Sequence, residues 1–414
     1  MKNHVTPLFD LTEEQAINIL KTPLDELVDS SAHYLAVSNL AFYKSETAID
    51  ILIETVKNIE DKLYDPITRR KAVESLGKLK AVKSLPILSN CLDDDDKYLV
   101  EMAVMSIAEI KTNDSEILEK ITSLLDKPNY NYRKIIQALT KLNYQLAIPK
   151  IKKFTTSASE NLASVSIASL ARLTGDFSNM HKITTFLHHA KVNDRRDCIQ
   201  DIIDGEYYEG LKDIIQCPIS IVFRLKSLRL MIQLDKNKNQ LSFIQIKTYL
   251  EQVLIDHVKD LKFISKYNKV PSLDFLINEL YDTDFERAYL ASKYIIDLYS
   301  QEAPALLIKS FQEKAYKHYN AHYHFIKLFG WLKYIPAYDL LVNEALKNQS
   351  SQFQKSRIAG AIALGEIGEK KAIDELKITL NNSLYDLQYA CIIALEKLGE
   401  SFDEDLKEET ILNT

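Results

Sequence analysis

The sequence predicts an all-α protein of paired helices stacked into a curved α-solenoid. Three observations carry this. Turn formers are scarce: 414 residues hold 9 Gly and 10 Pro, so connections are short and helix is abundant. A small or apolar residue is followed by apolar ones at i+4 and i+7, one stripe of a helix. The pattern then repeats. Ala72–Leu76–Leu79–Leu85–Leu88 is the clearest copy, flanked by copies starting at Ala36, Ala103, Ile135 and Ser166, and later at Phe325, Gly360 and Cys391. Successive anchors lie 31 to 36 residues apart, the period of helix-pair repeats. One pair cannot bury both of its stripes, so pairs stack and share a core.

Each element follows from this pattern. The first helix begins at Thr12, where Gln15 three residues on completes a capping box. Residues 1–190 read as regular repeats. Residues 191–320 read as longer, irregular helices, where local rules break and a special site is expected. Residues 321–414 return to the pattern and end in an acidic tail from Ser401, expected to fray. The whole reads as one continuous solenoid. Ser356–Leu380 resembles the HEAT repeats of phycobilin lyases, and its small residues Ala359, Gly360, Ala361 and Ala363 predict close helix approach.

Charge and motifs narrow the function. Lys+Arg is 52 against Asp+Glu 58, a net charge of -6, which disfavours nucleic acid as partner. No apolar run approaches membrane-spanning length, and Asp10, Glu13 and Glu14 interrupt any signal core. Cys91, Cys198, Cys217 and Cys391 are scattered, as reduced cytoplasmic thiols are. No P-loop, GxGxxG, HExxH or GxSxG occurs. The 22 tyrosines against one tryptophan are the compositional oddity. Most can simply cover helix faces, but phenols also suit a surface that is apolar and hydrogen-bonding at once.

Three clusters could carry chemistry. Arg195 and Arg196 precede Asp197, Asp201, Asp204 and Tyr208, spaced four, three and four, with Tyr207 alongside. The plainer reading is a solvated charge stripe. Asp282, Asp284 and Arg287 form the second; the two aspartates could merely cap the helix that follows. The third, Tyr316 to Trp331, holds His318, Tyr319, His322, Tyr323 and His324. His318 and His322 lie one turn apart, but with no carboxylate or cysteine nearby a metal is not expected. A stacking, proton-handling wall for a flat conjugated ligand fits better, against the alternative of partly buried aromatics on an amphipathic helix.

Several stretches resemble the E/F-type phycobilin lyases. Leu63–Ala81, Val100–Ile110 and Tyr132–Leu142 are similar to the N-terminal signature of that family, and Arg195–Met231 looks like the branch serving phycoerythrin. The likeness covers nearly the whole chain. It implies a cytoplasmic enzyme joining phycoerythrobilin by a thioether to a cysteine of a phycoerythrin subunit, the α subunit first, with or without a second lyase-like chain. The bilin is the substrate, and no further cofactor is implied. Some members also shift a double bond to give phycourobilin. The route using an adjacent His-Cys pair is unsupported, since no Cys adjoins a His. Asp201 and Asp204 are then expected at the pyrrole nitrogens. Arg195, Arg196 or Arg224 are expected at a propionate. Tyr319, His322 and Tyr323 are expected in proton transfer, and Trp331 in stacking. The other reading is a non-catalytic scaffold or chaperone for a phycobiliprotein subunit.

Overall fold

A computed structural model describes residues 11–27, 29, 31–58, 65–236, 239–381, 383 and 385–412. Among these the secondary structure is helical, 73% of the chain, with 24 α-helices and no strand. Asp10, Leu63 and Tyr64, used in the sequence reading, lie outside the described residues.

The chain divides into two compact units, Met1–Asn179 and Met180–Thr414. In the first, Thr12 caps Glu13–Lys21 by the expected capping box. The helix Pro66–Lys78 shows how a repeat is built. Asp65 caps it through Ile67 and Thr68 N–H, and Pro66 sits at the first turn, where a missing N–H costs nothing. Ala72 and Leu76 point into the core, fully buried. Lys80 then takes a left-handed conformation, the chain reverses, and Leu85–Cys91 returns with Leu88 buried. Apart from Asn129, the described left-handed residues of this unit are Lys80, Lys111, Asn143 and Gly175, spaced 31, 32 and 32, so the sequence period is the spacing of these reversals. Neighbouring repeats are joined by side-chain to backbone bonds, as from Ser106 Oγ to the Val73 carbonyl at 2.8 Å. Leu76→Ala is expected to lower the stability of this unit by about 2–5 kcal/mol through a core cavity, read by urea denaturation.

In the second unit the same reversals recur at Lys333, Gly368 and Gly399. Small residues let its helices approach closely: a Cβ on Gly330 would lie 2.7 Å from the Ala363 Cα. Two features differ from a simple row of repeats. The helix Phe243–Ile255 packs against Gln354–Ile367 and Tyr385–Lys397, so the unit closes on itself. Tyr389 hydroxyl seals this closure on Glu251 at 2.8 Å, and Arg229 pairs with Asp386. The acidic tail, expected to fray, instead forms the helix Glu404–Leu412. Ile411 is fully buried, and Lys407 bridges Glu396 at 2.5 Å and Glu404 at 2.7 Å, which ties the helix to the preceding one.

Candidate functional site

The chemistry-bearing residues lie in the second unit, and the structure sorts them differently from the sequence. On the helix Val192–Asp204, Arg195 is buried. Its guanidinium is held by Asp284, by Glu286 at 2.5 Å and by the His189 carbonyl at 3.1 Å. It is therefore consumed inside the fold and is not presented to a propionate. Arg196 is half-buried, lies over the Phe223 ring at 4.7 Å and donates to Asn193 at 3.3 Å. The acidic stripe is not one outward face. Asp201 is 1% exposed, while Asp204 is exposed and accepts from Gln200 at 2.8 Å. The helix ends at Asp204, and Glu206 turns left-handed, so Tyr207 and Tyr208 leave the stripe. Tyr207 donates to Glu209 at 3.2 Å.

The second cluster is largely capping and surface pairing. Asp284 caps the helix Phe285–Tyr299 through Glu286 N–H at 3.0 Å, and Asp282 accepts from Asp284 N–H at 2.8 Å. Arg287 forks onto Glu279 at 2.9 and 2.5 Å and reaches Asp282 at 2.7 Å.

The third cluster divides by depth along the helix Tyr319–Trp331. His318 is its cap and accepts from Ala321 N–H at 3.2 Å, so it does not share a ligand-facing side with His322. His322 is buried, stacked on Phe353 at 4.2 Å, and burial pushes its pKa down to about 4. Tyr319 is 49% exposed. Trp331 sits twelve residues on, about 18 Å away at 1.5 Å per residue, tilted against His257. An open cleft of about 380 Å³ adjoins Phe311, which packs on His322. Its walls include Tyr316, Asp339, Asn343 and Glu344, partly from the π-helical turn Leu341–Leu346.

A further constellation centres on Asp256, a residue the sequence does not single out. Asp256 ends the helix Phe243–Ile255 in a left-handed conformation, φ 49°. Its fully buried carboxylate accepts from Arg224 at 2.5 Å, from Tyr289 at 2.6 Å and from Tyr323. Arg224 also meets Tyr289 hydroxyl at 2.9 Å and the Ile219 and Ile215 carbonyls at 3.1 and 3.3 Å. Burial, then the Asp256 charge, hold both phenols well above the usual tyrosine range. Burial opposes the Arg224 charge, but Asp256 outweighs it. Arg224 and Tyr323, expected at the bilin, are thus engaged with Asp256 and closed to solvent.

Two lysines flank this core. Lys327 donates to the Ile255 carbonyl and lies 5.2 Å from the Trp331 ring; burial lowers its pKa to about 8. Lys355 is 3% exposed, and its ammonium has no hydrogen-bond partner among the described residues. It lies over three rings, Tyr319 at 3.7 Å, Phe285 at 4.5 Å and Tyr323 at 5.7 Å. Burial lowers its pKa to about 7. A signal for Lys327 was available: a lone cation between Ile326 and Leu328 in an apolar run. Nothing local marked Asp256 or Lys355.

The chain's own thiols are not poised to react. All four cysteines are buried, and burial raises Cys91 to about 11 and Cys217 and Cys391 to about 12.

Comparison with known proteins extends this picture. A family described as HEAT repeats matches residues 17–108. A protein of Pseudanabaena tenuis named "Uncharacterized phycocyanin operon protein Y" is 46% identical over 95% of this chain and 93% of its own length. "Bilin biosynthesis protein CpeY" of a Synechococcus strain is 29% identical over 89% of this chain and 90% of its own. The solved complex of CpcE and CpcF of phycocyanin lyase from Nostoc superposes with TM-score 0.50 at 24% identity. It covers 61% of this chain and 97% of that one, a likeness of fold. No helix among the described residues is long and apolar enough to cross a membrane.

Proposed function

The chain belongs to the E/F-type phycobilin lyase family and is a bilin lyase, and from that premise we propose that it joins phycoerythrobilin to a cysteine of a phycoerythrin subunit. The observation that supports this reading is a division of labour. Aromatic and ionisable side chains gather around the helix Tyr319–Trp331, while every thiol of the chain is buried. The protein is equipped to handle a conjugated substrate, and the nucleophile comes from the acceptor. The acceptor thiolate adds to a conjugated double bond of the bilin, a C–S bond forms, the π bond breaks, and a proton is delivered to carbon. Holding the flexible chromophore beside the acceptor cysteine supplies the proximity.

The branch assignment rests on Arg195–Met231 and on the relative named for bilin biosynthesis. The other relative's name mentions phycocyanin, so a phycocyanin subunit is the competing acceptor. A second lyase-like chain is proposed as a partner, on the pattern of the CpcE and CpcF complex. Co-expression with phycoerythrobilin synthesis and each candidate subunit tests this, with and without such a chain. Absorbance and peptide mass mapping read the product. A thioether-linked bilin on a phycoerythrin cysteine is expected. Linkage only to phycocyanin would move the acceptor, and no linkage to any subunit would favour a scaffold. Phycourobilin in the product would make it a lyase-isomerase.

Tyr319 is the most exposed phenol on the helix Tyr319–Trp331 and the proposed proton donor. Tyr319→Phe keeps the ring and removes the transferable proton. It is expected to slow bilin transfer by about 10²-fold while leaving bilin affinity nearly unchanged. Single-turnover transfer and equilibrium titration, measured separately, check this.

A further inference from the structure

Lys355 is the anomaly of the fold. Buried polar groups are normally hydrogen-bonded, and a buried cation is normally paired. Here the ammonium has three donors and no acceptor among the described residues. The ionisable groups around it are His318, Tyr319, His322, Tyr323 and His324, all from the helix Tyr319–Trp331 and its cap. The helix Phe285–Tyr299 offers it only the Phe285 ring, because Glu286 is spent on Arg195. No ion pair reaches Lys355 among the described residues.

A second anomaly adjoins it. His324 is fully buried, and neither ring nitrogen has a hydrogen-bond partner. Its ring lies 4.8 Å from Phe285 and 5.3 Å from Tyr323, the rings that also wall Lys355. Aromatic faces attract the ammonium, but they do not satisfy its donors. A methionine would fill the same space without a charge to desolvate. The covering is thin on one side, since Tyr319 lies directly over the ammonium and is itself half-exposed.

We propose that the space beneath Tyr319 is a carboxylate-receiving site, in which Lys355 pairs with one propionate of the bilin while Phe285, Tyr319 and Tyr323 hold the carbons beside it. The proposal rests on the bilin reading above and names the anchoring group. An acid entering here supplies the missing acceptor, and the unpartnered ring nitrogens of the neighbouring His324 offer a further donor. The pair forms at a cation only 3% exposed, where a charge-assisted bond is stronger than in bulk water. Such an anchor fixes one propionate-bearing ring and sets the chromophore's register against the acceptor cysteine.

The test compares phycoerythrobilin with its dimethyl ester, which keeps the conjugated system and removes both acids. Equilibrium titration of bilin absorbance reads binding to the full chain. The wild type is expected to prefer the acid by about tenfold or more. Lys355→Met is expected to bind acid and ester within about twofold of each other, and Lys355→Arg to keep part of the preference. Thermal melting controls for folding, and Lys355→Met should melt no lower than the wild type. A full acid preference in Lys355→Met would overturn the proposal. Equal binding of acid and ester by the wild type would do the same. Binding of neither form by the wild type would instead tell against the bilin reading. A measurement without substitution stands beside these. In wild type bearing ¹³C-methylated lysines, the Lys355 resonance is expected to titrate at higher pH once phycoerythrobilin is added. An unchanged titration would overturn the site.

Discussion

Asp256→Ala is expected to destabilise the second unit by about 3–5 kcal/mol, with roughly 1 kcal/mol more from alanine held at positive φ. The carboxylate is the common acceptor for Arg224, Tyr289 and Tyr323, which reach it from the helices Ile221–Asp235, Phe285–Tyr299 and Tyr319–Trp331. Removing it leaves a 1%-exposed guanidinium without its counter-charge and takes the shared charged acceptor away from two buried hydroxyls. The guanidinium keeps only the Ile219 and Ile215 carbonyls and the Tyr289 hydroxyl. Asp256→Asn preserves the shape and tolerates the left-handed backbone, so it should cost less and isolate the charge. The single tryptophan, Trp331, lies in this unit, so its fluorescence during urea denaturation reports there. A loss under 1 kcal/mol in Asp256→Ala would mean the network adds little beyond packing.

The contrast between Asp256 and Leu76 shows what the sequence made legible. Leu76 belongs to a stripe at i, i+4 and i+7, and helical geometry alone turns that stripe toward a neighbour. Repetition multiplies the signal, so the repeats are readable from Ala36 to Ser166 and again from Phe325 to Cys391. Asp256 interacts with residues 32, 33 and 67 positions away, in elements whose packing no local pattern specifies. Lys355 is hidden for the same reason. The cations that were singled out, Arg195 and Arg196, stood beside acids in the chain, and Arg195 found its true partners 89 and 91 residues on. The sequence groups Tyr319 with Tyr323, but four residues along a helix separate a half-exposed phenol from a fully buried one. Asp256 and Phe285 cover Tyr323 and decide that difference, and they lie 67 and 38 residues away in the chain.

Arg195→Met separates Arg195 from Lys355 as partner of a propionate. Arg195 is fully buried between Asp284 and Glu286, and Glu286 is itself only 3% exposed. Methionine approximates the length of the side chain but brings no charge. Glu286 then retains only the Ile264 and Ser265 N–H groups, at 3.4 and 3.3 Å, long contacts for a buried carboxylate. Breaking such a pair from one side costs about 3–5 kcal/mol, because the remaining charge has lost both water and partner. The variant should therefore unfold at markedly lower urea by Trp331 fluorescence. Its preference for bilin acid over dimethyl ester should nevertheless stay at the wild-type ratio wherever it remains folded, since the guanidinium already has its carboxylates inside the chain. Lys355→Met is expected to behave in the opposite way, stable but indifferent to the ester. If Arg195→Met lost the acid preference while remaining folded, the propionate anchor would belong to the Arg195 triad, and the pairing with Asp284 and Glu286 would have to open when bilin binds.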